Sequence, residues 1–192
     1  LLTDSNIVNG PPMMALAPPD DYVQRPTEYE QLINYLLAND GQPVGITATI
    51  RGAGGFGKTT LAQAICRDDR IQAAFPDGIL WTTIGDDRAN VLPGLRKLYR
   101  ALTGREAHFV DEQDGATQLS CVLANVRCLI VIDDVWNLAH LEPFLEGGEH
   151  CVRLVTTRIA GAIPKAAAVV PLDAMRVSEA TELLGAGLRN PD

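Results

Sequence analysis

The sequence lacks any apolar run that could cross a membrane. Its most uniform one, "CLIVI" from Cys128 to Ile132, is far shorter than the roughly 20 residues a spanning helix needs. The N-terminus has neither a basic leader region nor a continuous apolar one, so it does not read as a secretory signal. Cys66, Cys121, Cys128 and Cys151 include no CxxC pair, and His108, His140 and His150 share no ligand spacing, which excludes a zinc site or a disulfide framework as the organising feature. Positive charge is also short: 16 Lys and Arg stand against 24 Asp and Glu, a formal net charge of −8. An acidic surface repels a phosphate backbone at long range, so a broad nucleic-acid interface is not expected, while a local cationic pocket for one nucleotide stays compatible with it. Reduced packing thiols and the lack of leader or span place the chain in the cytoplasm.

What is present suits one globular domain: 192 residues, 46% of them hydrophobic. The first residue is Leu1 rather than methionine, which suggests a piece of a longer protein. Residues 1–20 carry Pro11, Pro12, Pro18 and Pro19 without periodicity and are expected to form an extended arm or linker, with the folded part over 21–192. "TEYEQLINYLLAND" predicts a helix with Thr27 as N-cap and Glu30 completing a capping box. "PVGITATI", "GILWTTI", "CLIVI", "CVRLVTT" and "AAVVPL" predict strands, and "CLIVI" is apolar enough to be buried on both faces. Between them, the segment from Lys58 to about Arg67, "VLPGLRKLYRAL" and "GATQLSCVLANV" have helical spacing, as does "SEATELLGAGL" with Ser178 as its cap. Strands alternating with helices imply an α/β fold, a mainly parallel sheet layered by helices on both faces.

The chemistry-bearing stretch is "GAGGFGKTT", Gly52 to Thr60, which matches G-x-x-x-x-G-K-[ST] between a strand and a helix. Backbone amides that wrap a phosphate chain must come close to it, and a Cβ on the tight parts of the loop would obstruct them. The helix that follows adds its positive N-terminal end. In such a loop Lys58 would reach the β and γ phosphates and Thr59 would bind Mg²⁺. A second element is then required: a buried strand ending in a carboxylate. "CLIVIDDVW" offers Asp133 as the magnesium residue, acting through water, and Asp134 as the group that polarises an attacking water. Alone, an Asp pair after a strand serves equally as a helix N-cap. Arg158, directly after the strand "RLVTT", is placed at the ligand end of an open sheet, though an arginine ending a strand is also commonly solvated.

The ordered set "YVQRPTEYE", "GAGGFGKTT", "CLIVIDDVW" and "LVTTR" resembles the NB-ARC family of signal-transduction ATPases, the nucleotide switch shared by plant disease-resistance proteins, the apoptotic protease-activating factor and many bacterial regulators. The resemblance runs from about Tyr22 to Leu184. It implies a three-layer P-loop NTPase core with about five strands, in which the strand ending at Thr157 lies between the phosphate-loop strand and the strand ending at Ile132. It implies ATP or ADP with Mg²⁺ as ligands, held by Gly52, Gly54, Gly55, Phe56, Gly57, Lys58, Thr59 and Thr60. Val23 and Arg25 are implied as adenine-side contacts, from a segment in which Gln24 stands where the family has glycine and Glu28 follows. Arg158 is implied as the sensor of the γ phosphate. Family members continue into helical and winged-helix domains that this chain does not contain, and the implied partners are those domains and further copies of the whole protein. No guanine-specific NKxD motif is present, which leans toward adenine.

Two other readings compete with a slow, regulatory ATPase. A P-loop kinase passing a phosphoryl group to a small acceptor would use an arginine-rich lid, and Arg88, Arg96, Arg100 and Arg105 have the residue type for one. A partitioning ATPase of the ParA kind would need an additional lysine in the loop, where this chain has Ala53.

Overall fold

The computed structural model describes residues 10–38, 47–51 and 57–172. Within them five strands form one parallel sheet: β1 (Thr47–Arg51), β2 (Ile79–Gly85), β3 (Leu129–Val135), β4 (Val152–Thr157) and β5 (Ala168–Pro171), in the order β2-β3-β4-β1-β5. β4 lies between β1 and β3, pairing Arg51 with Thr157 on one side and Ile132 with Val155 on the other. The helices are α1 (Pro26–Leu37), α2 (Lys58–Cys66), α3 (Asp69–Ala74), α4 (Val91–Thr103), α5 (Glu112–Leu123) and the single turn α6 (Leu138–Leu141).

The two-residue period of a strand explains the three layers. Along β3, Leu129 and Val131 join a core with Leu32, Leu36, Leu61 and Ile65 from α1 and α2. Ile130 and Ile132 join a second core with Leu95, Leu98, Leu119 and Leu123 from α4 and α5. β3 is therefore apolar on both faces, and each such side chain removed from water contributes about 1.5–3 kcal/mol. Carrying the alternation one step further turns Asp133 toward the α2 layer.

Two local expectations change. α1 begins one residue before Thr27: Arg25 is the N-cap without a side-chain cap bond, and Pro26 opens the helix, where its fixed φ fits and its missing N–H is not needed. Glu30 pairs with Arg70 at 2.9 Å instead of closing a capping box. Of the expected arm over 1–20 the structure describes residues 10–20, and part of these belongs to the folded body. Ile79 donates its N–H to Pro12 at 2.7 Å, Met14 donates to Ile79 at 2.9 Å, and Ala15 is 3% exposed. This short parallel bridge covers the outer edge of β2. It requires Gly78, whose φ is +121° and where a Cβ would stand 2.6 Å from the Pro12 oxygen. The expected helix capped by Ser178 lies outside the described residues, as do Gly52, Gly54, Gly55 and Phe56 of the phosphate loop.

Candidate nucleotide site

The candidate residues gather where α2 begins and where β3 and β4 end. Gly57, the N-cap of α2, has φ 78° and ψ 24°, a left-handed conformation that suits glycine and turns the chain from the loop into the helix. The first turn of any α-helix carries amides that no carbonyl of the helix can reach, together with the positive end of its dipole. Lys58 and Thr59 stand on that turn, and Thr60 beside them is half-buried. Lys58 is 8% exposed, and its ammonium is held below the usual lysine range, first by burial and then by the positive charge of Arg158, against the opposing pull of Asp134 and Asp133.

Asp133 is 5% exposed and collects hydroxyl donors from three elements. Thr59 donates to its Oδ1 at 2.9 Å and Thr156 of β4 to the same oxygen at 2.7 Å. Thr83 of β2 reaches Oδ2 at a long 3.5 Å and itself accepts the indole N–H of Trp81 at 3.3 Å. Sequence reasoning singled out Thr59 and Asp133 but not Thr83 or Thr156. Their signal was present as hydroxyl residues at the C-terminal ends of otherwise apolar strands.

Between Asp133 and Asp134 the ladder to β4 slips. Ile132 pairs with Val155 and Val135 with Thr157, so two aspartates face the single residue Thr156. This is a β-bulge, and Asp134 takes φ 56°, a positive value seen at no other non-glycine among the described residues. The bulge aims Asp134 away from Asp133: its Oδ1 is 3.6 Å from Nε of Arg158. The guanidinium of Arg158 lies over the ring of Trp136, 5.5 Å from the centroid. Lys58, Thr59, Asp133, Asp134 and Arg158 thus share one corner of the sheet. The aspartate pair does not cap α6, because Asn137 does so, accepting from the Ala139 N–H at 3.0 Å.

Val23 and Arg25 lie in the segment entering α1 and are both buried. Two shielded oxygens, Tyr22 Oη and Glu28 Oε2, belong to the same segment. Burial holds the Tyr22 phenol above its ordinary range. Of the four arginines that would furnish a kinase lid, three have partners: Arg88 pairs with Glu112 at 2.9 Å and Arg100 with Glu106 at 2.8 Å, both at the surface, and Arg96 donates to the Phe109 carbonyl at 3.1 Å.

Residues 25–185 match the sequence model of the NB-ARC domain. The chain belongs to the NB-ARC domain family. It is 32% identical over 171 residues to the regulatory protein AfsR of Streptomyces coelicolor, covering 85% of this chain and 17% of that one. It is 28% identical over 156 residues to a putative disease resistance RPP13-like protein of Arabidopsis thaliana, covering 77% of this chain and 15% of the relative. The NB-ARC chain thus spans about one sixth of the length of these curated relatives. Among solved structures, a Signal Transduction ATPase with Numerous Domains from Pyrococcus horikoshii superposes with a TM-score of 0.53 at 17% identity, over 93% of this chain and 27% of that one. The Drosophila ORC structure bound to DNA gives 0.60 at 16% identity, over 94% and 49%. Both likenesses show the fold, that of P-loop ATPases. No helix among the described residues is long and apolar enough to cross a membrane.

Proposed function

We propose that this NB-ARC domain is the ATP- and ADP-binding switch of a larger cytoplasmic signalling protein, in which nucleotide exchange controls opening and assembly. The observation that carries the reading is the hydrogen bond from Thr59, on the first turn of α2, to Asp133 at the end of β3, 2.9 Å long and in the electrostatic neighbourhood of Lys58 and Arg158.

The donor set fits the ligands the family implies. A hydroxyl beside a carboxylate is an oxygen-only pair suited to Mg²⁺, which keeps several waters and takes phosphate oxygens for the rest of its shell. Among the described residues no cluster of three His, Cys, Asp or Glu could hold a metal unaided. Thr59 would hold the ion directly and Asp133 through water, and the ion would neutralise charge between the β and γ phosphates. Lys58 would bind the phosphate chain as a cation, beside the amides of the first turn of α2. Val23 and Arg25 take the adenine side, where the shielded oxygens of Tyr22 and Glu28 give a polar lining to the same segment.

Asp134 is the group that would polarise the attacking water, and here it leans on Arg158. Arg158 there occupies the side of the carboxylate that an attacking water would use. Transfer of Arg158 to a γ phosphate would free Asp134, so the same side chain would report the triphosphate and release the base. A switch needs slow hydrolysis, because a nucleotide state that decays quickly stores no signal. The four free thiols support a reducing compartment.

Mass spectrometry of the nucleotide that survives purification, with calorimetry of ADP and ATP in Mg²⁺, tests the proposal. Bound ADP, and loss of binding in Lys58→Ala, are expected. Failure of both nucleotides to bind, unchanged binding in Lys58→Ala, or rapid phosphoryl transfer to small acceptors would overturn it.

A further inference from the structure

We infer that Thr156 is a positioning residue of the nucleotide site, one hydroxyl that sets both aspartates at once; the inference rests on the nucleotide-binding reading above. The bulge puts Asp133 and Asp134 opposite this one residue of β4. A hydroxyl has one proton to give and lone pairs to receive, and Thr156 uses both. It donates to Asp133 Oδ1 at 2.7 Å and accepts the N–H of Asp134 at 2.9 Å.

Each bond has a separate consequence. Asp133 Oδ1 already accepts from Thr59, so the second donor fills that oxygen and fixes the carboxylate plane. Oδ2, approached only by Thr83 at 3.5 Å among the described residues, is then the oxygen left to orient water around a cation. At Asp134 the bond anchors the amide of a residue held at φ 56°, a left-handed conformation that costs a non-glycine residue free energy and persists only where neighbours impose it. The same conformation brings its carboxylate to Arg158. Thr156 is 1% exposed and its hydroxyl is bonded to the two acids, so it acts through them.

Thr156→Val keeps the branched shape that suits a buried strand and removes the hydroxyl, and Thr156→Ser keeps the hydroxyl and removes the methyl. The test is calorimetry of ADP and of a slowly hydrolysed ATP analogue with the 192-residue chain, once in Mg²⁺ and once in EDTA, alongside thermal denaturation. Loss of an outer-shell hydrogen bond of this kind costs about 10–100-fold in metal-dependent affinity, so Thr156→Val should lose that much in Mg²⁺ and less than about twofold in EDTA. Thr156→Ser should retain the Mg²⁺ gain. Equal affinity of Thr156→Val and the parent chain in Mg²⁺ overturns the inference. An equal loss with and without Mg²⁺, accompanied by a fall in Tm, also overturns it, since that is a lesion of the strand. Failure of serine to restore the gain does the same. If the parent chain binds no nucleotide in either condition, the nucleotide reading itself falls and takes this inference with it.

Discussion

Arg158 rests on Trp136, its guanidinium carbon 5.5 Å from the ring centroid, while its Nε stands 3.6 Å from Asp134. Cation and indole are both at the ligand end of the sheet, so departure of Arg158 toward a γ phosphate should be visible in the tryptophan. The chain has two tryptophans, and Trp81→Phe isolates Trp136. In that background an ATP analogue should shift the emission and ADP should not. Arg158→Ala should abolish the shift and weaken the ATP analogue by roughly tenfold or more, the worth of a charge-assisted hydrogen bond, leaving ADP unaffected. The same emission change in Arg158→Ala would show that Trp136 senses something else.

Lys58 is held below the ordinary 10.5 of lysine, mainly by burial and then by Arg158. A phosphate chain adds negative charge to that of Asp133 and Asp134, so binding should raise the group and take up protons in alkaline solution. The sign for stability follows from the same shift. Between its folded value and 10.5 the unfolded chain binds the extra proton, so Lys58 makes the free protein gain stability as pH rises through that window. Calorimetry in buffers of different ionisation enthalpy reads the proton uptake directly. A binding enthalpy independent of buffer in the parent chain would refute the assignment.

The strand that carries Asp133 was legible because burial on both faces leaves a five-residue apolar run that periodicity exposes in "CLIVI". Of the phosphate loop the described residues include Gly57, whose φ of 78° is the conformation its place before α2 asks of a glycine. The bulge was not legible: nothing in "IDDVW" states that two residues face one across the sheet, because that depends on the register of Thr156 some twenty positions away. The arm over β2 was missed for a related reason. Prolines mark a chain that cannot join a regular ladder, yet Pro12 contributes a carbonyl and Met14 an amide, which is enough to cover an edge. Thr27 failed as a cap because Pro26, one residue earlier, already satisfies the requirement for a helix start.

Asp68 caps α3 and receives hydrogen bonds from Arg70 and from the Tyr29 hydroxyl at 2.9 Å. Arg70 foremost holds its carboxyl near 2, below the ordinary 3.8. Stability from this group is present above 3.8 and lost as pH falls through that value toward 2. Asp68→Asn keeps an acceptor for the cap and removes the titration. The variant should be less stable at neutral pH by roughly 1–2 kcal/mol, the solvent around half-exposed Arg70 being allowed for, and should lose less than the parent chain on acidification. Urea midpoints at neutral pH and near pH 3 give the comparison, and parallel acid profiles would remove Asp68 as a contributor.

Arg153 is the charged residue that sequence patterning passed over: it lies inside β4, 1% exposed, with its apolar neighbours Val152 and Leu154. Its guanidinium donates to the carbonyls of Phe144, Glu146, Gly147, Gly148 and Cys151, at 2.6 to 3.3 Å. Burial pushes its pKa down, but an arginine stays charged, so the carbonyls that surround it are what make the position tolerable. The side chain thereby ties the turn before β4 to the strand whose far end carries Thr156 and Arg158. Arg153→Met fills much of the volume and leaves that set of carbonyls without their donor. It should cost about 3–5 kcal/mol, since several buried acceptors go unsatisfied together. Arg153→Lys should fall between, because an ammonium donates three hydrogen bonds and cannot span the fork. Chemical denaturation measures both, and a Met variant as stable as the parent chain would mean that the turn finds other donors.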